Sequence, residues 1–312
     1  MKDFKRRFVS DTPNHCYQRT IDGNLLFYNV ADCLVLFTII CTSARRYNVV
    51  VLALCFMPDH IHGTYVTETP EDLSGFVGEY TSKYARAFNE SFHRDGPLFD
   101  GPFGSAPKTT NKAIRTNLIY VYNNPVERHI VKQAEEYKWN FMAYAGNDNP
   151  FSGRIVRRKA SGNLKKAVSL IDSLCDNNRP LTYKLLRKLF SKLAKPERNQ
   201  LTDYIISKYS VINHQAAINY FGSYDNLLTA VHSTTGSEYD IREEYTGYRD
   251  DCYSIMSGIL LETGMFCDIH DTITLPPAKK RELYRLLRIR TNATSRQIEK
   301  YLHIPPEVVK PG

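Results

Sequence analysis

A seven-residue string, Met57-Pro58-Asp59-His60-Ile61-His62-Gly63, carries the sharpest chemical signal in the sequence. On a β-strand, residues i and i+2 share a face, so His60 and His62 point the same way with Cα atoms roughly 7 Å apart, and Ile61 points oppositely. Two imidazoles so placed can converge on one metal ion. The same pair also fits chance alternation, and spacing alone leaves both readings open. A histidine-triad hydrolase needs a third histidine two residues on, where Thr64 stands. A two-histidine phosphoesterase needs a matched pair of His-x-Ser/Thr motifs, of which His62-Gly63-Thr64 is one.

The second feature is Asn117-Leu118-Ile119-Tyr120-Val121-Tyr122-Asn123-Asn124-Pro125. Tyr120 and Asn124 are i and i+4, hence neighbours on one helix face, while Tyr122 lies about 200° around the axis and cannot share it. A phenol and an amide on one stripe can serve as nucleophile and metal ligand. Equally, Tyr120 can pack its ring into a core with Asn124 as a helix C-cap. The residue before proline avoids the helical region, so Asn124 is expected just past the last regular turn.

These residues need a scaffold. Residues 15–20 read as a strand, Asp22-Gly23 as a turn and 31–46 as a buried helix. The β-rich apolar run 49–56 reads as a buried strand, Met57-Pro58-Asp59 as a turn and 60–66 as the next strand. Thr69-Pro70-Glu71-Asp72 starts a helix that carries Leu73, Phe76, Val77, Tyr80, Tyr84 and Phe88. Residues 98–103 are expected to form an irregular strand, and 110–124 a helix ended by Pro125. The order β-α-β-β-α-β, then a helix, predicts an α+β fold: a ferredoxin-like or RRM-like antiparallel sheet with helices on one face. Helices are expected over 201–210, 213–221, 225–232, 250–262, 278–289 and 295–302, with 306–310 completing a helix-turn-helix-like end.

The chain has 312 residues, 42% hydrophobic and 24% charged, enough for a core and too apolar for global disorder. Seven cysteines without a CxxC pair predict reduced thiols, and the N-terminus lacks the apolar stretch of a signal peptide. Together with the lack of any run near the ~20 apolar residues of a membrane span, this predicts a cytoplasmic protein with no membrane partner. The net charge of +8 is unevenly spread. Residues 1–150 carry 16 basic and 16 acidic side chains, and 199–312 carry 12 and 14, whereas 151–198 carry 13 and 3. Such a block attracts a polyanion, by default nucleic acid, or else is a well-solvated face. Three units follow: 1–148 with the chemistry, a basic helical linker or DNA-binding segment over 149–200, and a helical C-terminal domain over 201–312.

The combination of Met-Pro-Asp-His60-Ile-His62 with Tyr120-Val-Tyr-Asn-Asn-Pro-Val some sixty residues later resembles the single-tyrosine HUH transposases. Within them the likeness is to the insertion-sequence-200-like and REP-associated tyrosine transposases. Gln18-Arg19-Thr20, Arg86-Ala-Phe-Asn89 and the segment from Gly96 to Phe103 match as well, and the resemblance covers roughly residues 10–145. It implies that His60 and His62 are metal ligands, that Tyr120 is the nucleophile, and that Asn124 completes a Mg²⁺ or Mn²⁺ site. It further implies an enzyme of DNA transposition and recombination that nicks single-stranded or hairpin DNA and transfers strands through a 5′-phosphotyrosine. A homodimer sharing sites is compatible with it. No GxxxxGK[ST] loop is present, so no nucleotide cofactor is expected. Lys83, Arg86, Lys108, Lys112 and Arg115 are expected to flank the site, and Arg154, Arg157, Arg158, Lys159, Lys165 and Lys166 to hold DNA. Tyr80, Tyr84, Phe99, Phe103 and Trp139 can stack on bases or pack in the core. The alternative reading is a domesticated HUH-fold protein that binds hairpin repeats without cutting.

Overall fold

The computed structural model describes residues 7–233 and 249–305. Strand β1 (Asn14–Arg19), helix α1 (Val30–Arg46), strands β2 (Val50–Met57) and β3 (His60–Val66), helix α2 (Pro70–Phe92) and strand β4 (Gly104–Pro107) follow in order, and helix α3 (Asn111–Glu127) comes next. The strands form one antiparallel sheet in the order β2-β3-β1-β4. This is the ferredoxin-like arrangement that the order of elements predicts.

Local chemistry sets the helix starts. The Asn29 side chain accepts from Ala31 N while the Asp32 carboxylate accepts from Asn29 N, a capping box for α1. Thr69 caps α2 ahead of Pro70, and Thr110 caps α3. Each cap satisfies backbone N–H groups that the helix itself cannot pair.

Strand alternation divides the core in two. Cys16, Leu54, Phe56, Ile61 and Tyr65 pack toward α1 and α2, the two crossover helices on one face. Leu52, Ala53, Cys55 and Met57 pack toward α3 on the other. An irregular register between Val51 and Ala53 lets β2 feed both faces. His60, His62 and Thr64 therefore lie on the α3 face, between the core residues Ile61 and Tyr65 of the opposite side. Gly63 belongs to that opposite side, and its lack of a side chain is required there: a Cβ would stand 2.1 Å from Tyr65 Oη.

Two sequence expectations shift. Residues 98–103 do not form a strand beyond a single bridge between Thr20 and Phe99, and β4 lies further on. Gly101, at φ 64°, and Pro102 break the run, because proline has no N–H for a ladder. Helix α3 also continues through Pro125 to Glu127, with Arg128 N donating to Asn124 O at 3.1 Å. The proline removes one bond, to the Val121 carbonyl, so near the helix end the turn survives and Asn124 stays helical.

The basic segment is more than a connector. Helices α4 (Gly162–Asp176), α5 (Tyr183–Phe190) and α6 (Lys195–Tyr209) place Leu164, Ile171, Leu186, Leu201 and Ile205 in the same core as α1. Fully burying each such leucine or isoleucine is worth roughly 1.5–3 kcal/mol, so this layer is bound firmly to the sheet's α1 side. Helices α7 (His214–Asn219) and α8 (Tyr224–Ser233) pack beside α3 on the other face. Helices α9 (Cys252–Glu262), α10 (Pro277–Arg290) and α11 (Ser295–Leu302) form a third cluster joined to Leu25 and Tyr28. The helix expected over 306–310 lies outside the described residues. Among the described residues, no helix is long and apolar enough to cross a membrane.

Candidate active site

Strand β3 presents His60 and His62 from one face, with ring centroids 4.8 Å apart and nearly perpendicular planes. Helix α3 crosses that face. The Tyr120 ring meets His62 edge-on at 5.3 Å, within one chain. It also meets His15, on β1, edge-on at 5.7 Å. His15 stacks on His62 at 5.2 Å, with its Nε2 3.1 Å from His62 Nδ1. All four side chains are buried.

The register of α3 on β3 is pinned at its start, where Thr64 Oγ1 donates to Asn117 Oδ1 at 2.8 Å. One turn on, Tyr120 meets His62. Asn124 follows Tyr120 by one further turn of α3. Asn124 is buried, and its Nδ2 donates to Tyr120 O at 3.2 Å.

Asp59 completes the arrangement from the β2–β3 turn. Its Oδ1 accepts from His60 Nδ1 at 2.6 Å, and its Oδ2 accepts from Lys300 Nζ at 2.7 Å. Burial alone would raise the Asp59 carboxyl, but His60 and Lys300 hold it well below the usual carboxylate range. With Nδ1–H committed to Asp59, the lone pair of a neutral His60 lies on Nε2. That nitrogen is buried and makes no hydrogen bond.

A cavity of about 570 Å³ opens beside His60, with Arg19, Asp59, Arg128, Asp250, Tyr253 and Lys300 in its wall. Burial, and then the charge of Asp59, push the Asp250 carboxyl up to about 6. His232 and His270, each followed two residues on by a threonine in the sequence, pair with other residues. His232 pairs with Glu135, and His270 is buried against Asp32 and Asp268.

The expected DNA-contacting residues fall in three places. Lys112 and Arg115 are exposed on the first turns of α3, and the Arg115 guanidinium lies 5.3 Å from the Phe221 ring centroid. Lys83 and Arg86 sit on α2, across the sheet from Tyr120 rather than beside it, and Lys83 is held by Glu79 at 2.7 Å. Lys108 is buried behind β4. Arg154, Arg157, Arg158, Lys159, Lys165 and Lys166 are exposed on the α4–α6 layer, also on the α1 side of the sheet. There Arg154, Arg157, Lys165 and Lys208 line a cavity of about 560 Å³. The aromatic platforms are largely absorbed by packing: Tyr80, Tyr84 and Phe103 are core residues, and Phe99 and Trp139 pack half-buried against the same core.

Sequence reading missed His15 and Lys300. His15 lies on a strand 47 residues from His62, and no spacing rule links them without the β1–β3 register. Lys300 lies 241 residues from Asp59. Asp59 was within the motif, and a carboxylate next to a ligand-type histidine was the available signal.

The ferredoxin-like sheet thus carries a histidine pair on one of its two central strands, faced by a tyrosine from α3. The family model described as "Transposase IS200 like" matches residues 30–124. A solved structure described as "Structure of the REP associates tyrosine transposase bound to a REP hairpin" aligns with a TM-score of 0.42 at 17% identity, covering 47% of this chain and 86% of that chain. No curated protein matches the chain.

Proposed function

We propose that this chain is a transposase that nicks single-stranded or hairpin DNA and transfers the cut strand, with Tyr120 as nucleophile. The observation that carries the reading is the edge-on contact of Tyr120 with His62, beside His60, inside one chain. Tyr120 Oη would form a bond to the scissile phosphorus as the bond to the 3′ oxygen breaks. The phenol loses its proton and the departing 3′ oxygen gains one, giving a 5′-phosphotyrosyl enzyme and a free 3′-OH. The phosphotyrosyl bond conserves the energy of the phosphodiester, so a second 3′-OH can reverse the step without a nucleotide. A phenol of ordinary pKa near 10 is a weak nucleophile at neutral pH, so its placement matters.

The donors present fit a divalent cation. His60 Nε2 is a buried nitrogen with no hydrogen bond, and its partner Nδ1 is anchored on a carboxylate, the usual outer support of a ligating histidine. His62 Nε2 and the Asn124 amide oxygen would be the other protein donors. Among the described residues no group of three His, Cys, Asp or Glu side chains is placed to hold a metal ion. Mixed nitrogen and oxygen donors without thiolate suit Mg²⁺ or Mn²⁺, and such an ion polarises and orients a phosphate when bound. His15 stacks on His62, Asp59 holds His60, and α3 holds Tyr120 against His62. The basic α4–α6 surface would bind the DNA backbone away from the cut.

The test is incubation of the full chain with labelled hairpin oligonucleotides and Mn²⁺ or Mg²⁺. The expected result is a covalent protein–DNA adduct that disappears in Tyr120→Phe. Tight hairpin binding with no adduct on any substrate would instead establish a protein that binds and does not cut.

A further inference from the structure

The proposed nucleophile and metal donors all lie on β3 and α3, yet the wall of the cavity beside His60 is completed by the C-terminal helices. Lys300, on α11, reaches over the loop after β1 and gives its ammonium to Asp59 Oδ2 at 2.7 Å. The other oxygen of the same carboxylate holds His60 Nδ1 at 2.6 Å. Lys300 is 23% exposed, Asp59 13% and His60 5%, so the chain of three is largely shielded from water. An ion pair in such surroundings fixes geometry more firmly than an exposed one.

The approach of Lys300 is built in from both sides. Leu25 N donates to Lys300 O at 3.0 Å, Tyr28 Oη donates to Tyr301 O at 2.5 Å, and Arg296 donates to Asp22 O at 2.6 Å. Gly23, at φ 63°, leaves room for the lysine stem: a Cβ there would stand 3.0 Å from Lys300 Cε. Thr20 fixes the other end, its N and Oγ1 both donating to Asp59 O. Without Lys300, one Asp59 oxygen would lack its cation, and the carboxylate could rotate away from His60.

We propose that Lys300 is a positioning residue for His60, acting through Asp59, so that the α9–α11 unit is a working part of the catalytic site and not an appended domain. This rests on the reading of His60 as a metal ligand. Lys300 fixes the carboxylate that fixes the imidazole, and thereby keeps Nε2 as the nitrogen presented to the ion. Outer supports of this kind typically change metal affinity 10–100-fold when removed.

The experiment measures Mn²⁺ binding to the full chain without DNA, by electron paramagnetic resonance, for wild type, Lys300→Met, Lys300→Arg and Tyr28→Phe. Tyr28→Phe loosens the docking of α11 and leaves the ion pair in place. The expected result is Mn²⁺ affinity about tenfold weaker in Lys300→Met, restored in large part by Lys300→Arg, and close to wild type in Tyr28→Phe. Thermal melts identify any variant that has lost its fold. If Lys300→Met fails to fold, Lys300→Gln, which also removes the ammonium, takes its place with the same expectation and the same overturning result. A Tyr28→Phe affinity as weak as that of a lysine variant would make docking the cause and overturn the proposal. Wild-type affinity in a folded Lys300→Met would overturn it too, while leaving the assignment of His60 intact. A wild-type chain that binds no Mn²⁺ would remove that assignment and the proposal together.

Discussion

His15 Nε2 lies 3.1 Å from His62 Nδ1, across the two central strands of the sheet. His15 is paired in register with Thr64, so His62 is its diagonal neighbour, and the two rings stack with an interplanar angle of 14°. One imidazole N–H lies between the two rings, and His62 can present a free Nε2 lone pair only in the arrangement where its Nδ1–H donates to His15 Nε2. The histidine pair of the motif is therefore a trio, with Tyr120 edge-on to two of its members.

Replacing His15 should affect His62 more than the fold. His15→Ala is expected to raise the Mn²⁺ concentration for half-maximal adduct formation about tenfold, the lower end for loss of an outer-shell partner. The measurement is an adduct assay titrated with Mn²⁺. An unchanged midpoint would show that His15 is only a packing residue.

Asn124 is expected to act at the metal and not at the phenol. Asn124→Ala should cut adduct formation more than tenfold at limiting Mn²⁺, with recovery as the ion is raised. A loss that no Mn²⁺ concentration repairs would mean that the amide instead positions Tyr120, whose carbonyl it already bonds at 3.2 Å.

The basic layer should govern affinity and not chemistry. Exchanging Arg154, Arg157 and Lys165 for glutamate should weaken hairpin binding and flatten its dependence on salt, by about 0.7–0.9 in logarithmic slope for each DNA phosphate no longer neutralised. The adduct rate at saturating DNA should not change, because these residues stand across the sheet from Tyr120. Substitution is the fitting test, since deleting the layer would uncover the outer side of α1. Equal salt slopes for variant and wild type would make the block a solvated face.

Stability should peak near pH 6–7, from two buried histidines shifted in opposite directions. Burial would lower His270, but Asp32 and Asp268 reverse this and raise it to about 9. Its charged form is favoured in the fold, so its contribution is complete below the unfolded value near 6.5 and is lost as pH rises through about 9. His303 is pushed down to about 3 by burial. It folds neutral, so its contribution is complete above about 6.5 and is lost as pH falls toward 3. Urea unfolding across pH 4–9.5 should trace a dome whose alkaline side, of the order of a few kcal/mol, flattens in His270→Gln. An alkaline side that persists unchanged in that variant would exclude His270 as its cause.

How much of this was legible in the sequence follows the range of each interaction. Alternation along β3 placed His60 and His62 on one face, and helical spacing placed Tyr120 and Asn124 on one stripe, because those relations depend only on backbone period. Caps at Thr69 and the helices of the C-terminal half were equally local. The extension of α3 past Pro125 was not, because a proline in a last turn costs a bond that packing of Tyr120 and Val121 can offset. The meeting of strand and helix, the stacking of His15 on His62, and the reach of Lys300 to Asp59 depend on strand register and on the docking of elements up to 241 residues apart. The same holds for charge. Composition located the basic block along the chain, but only the packing of α4–α6 against α1 decided that it lies behind the sheet. Side-chain periods are written into the backbone, whereas which face meets which is settled by burying both apolar sides of one sheet at once.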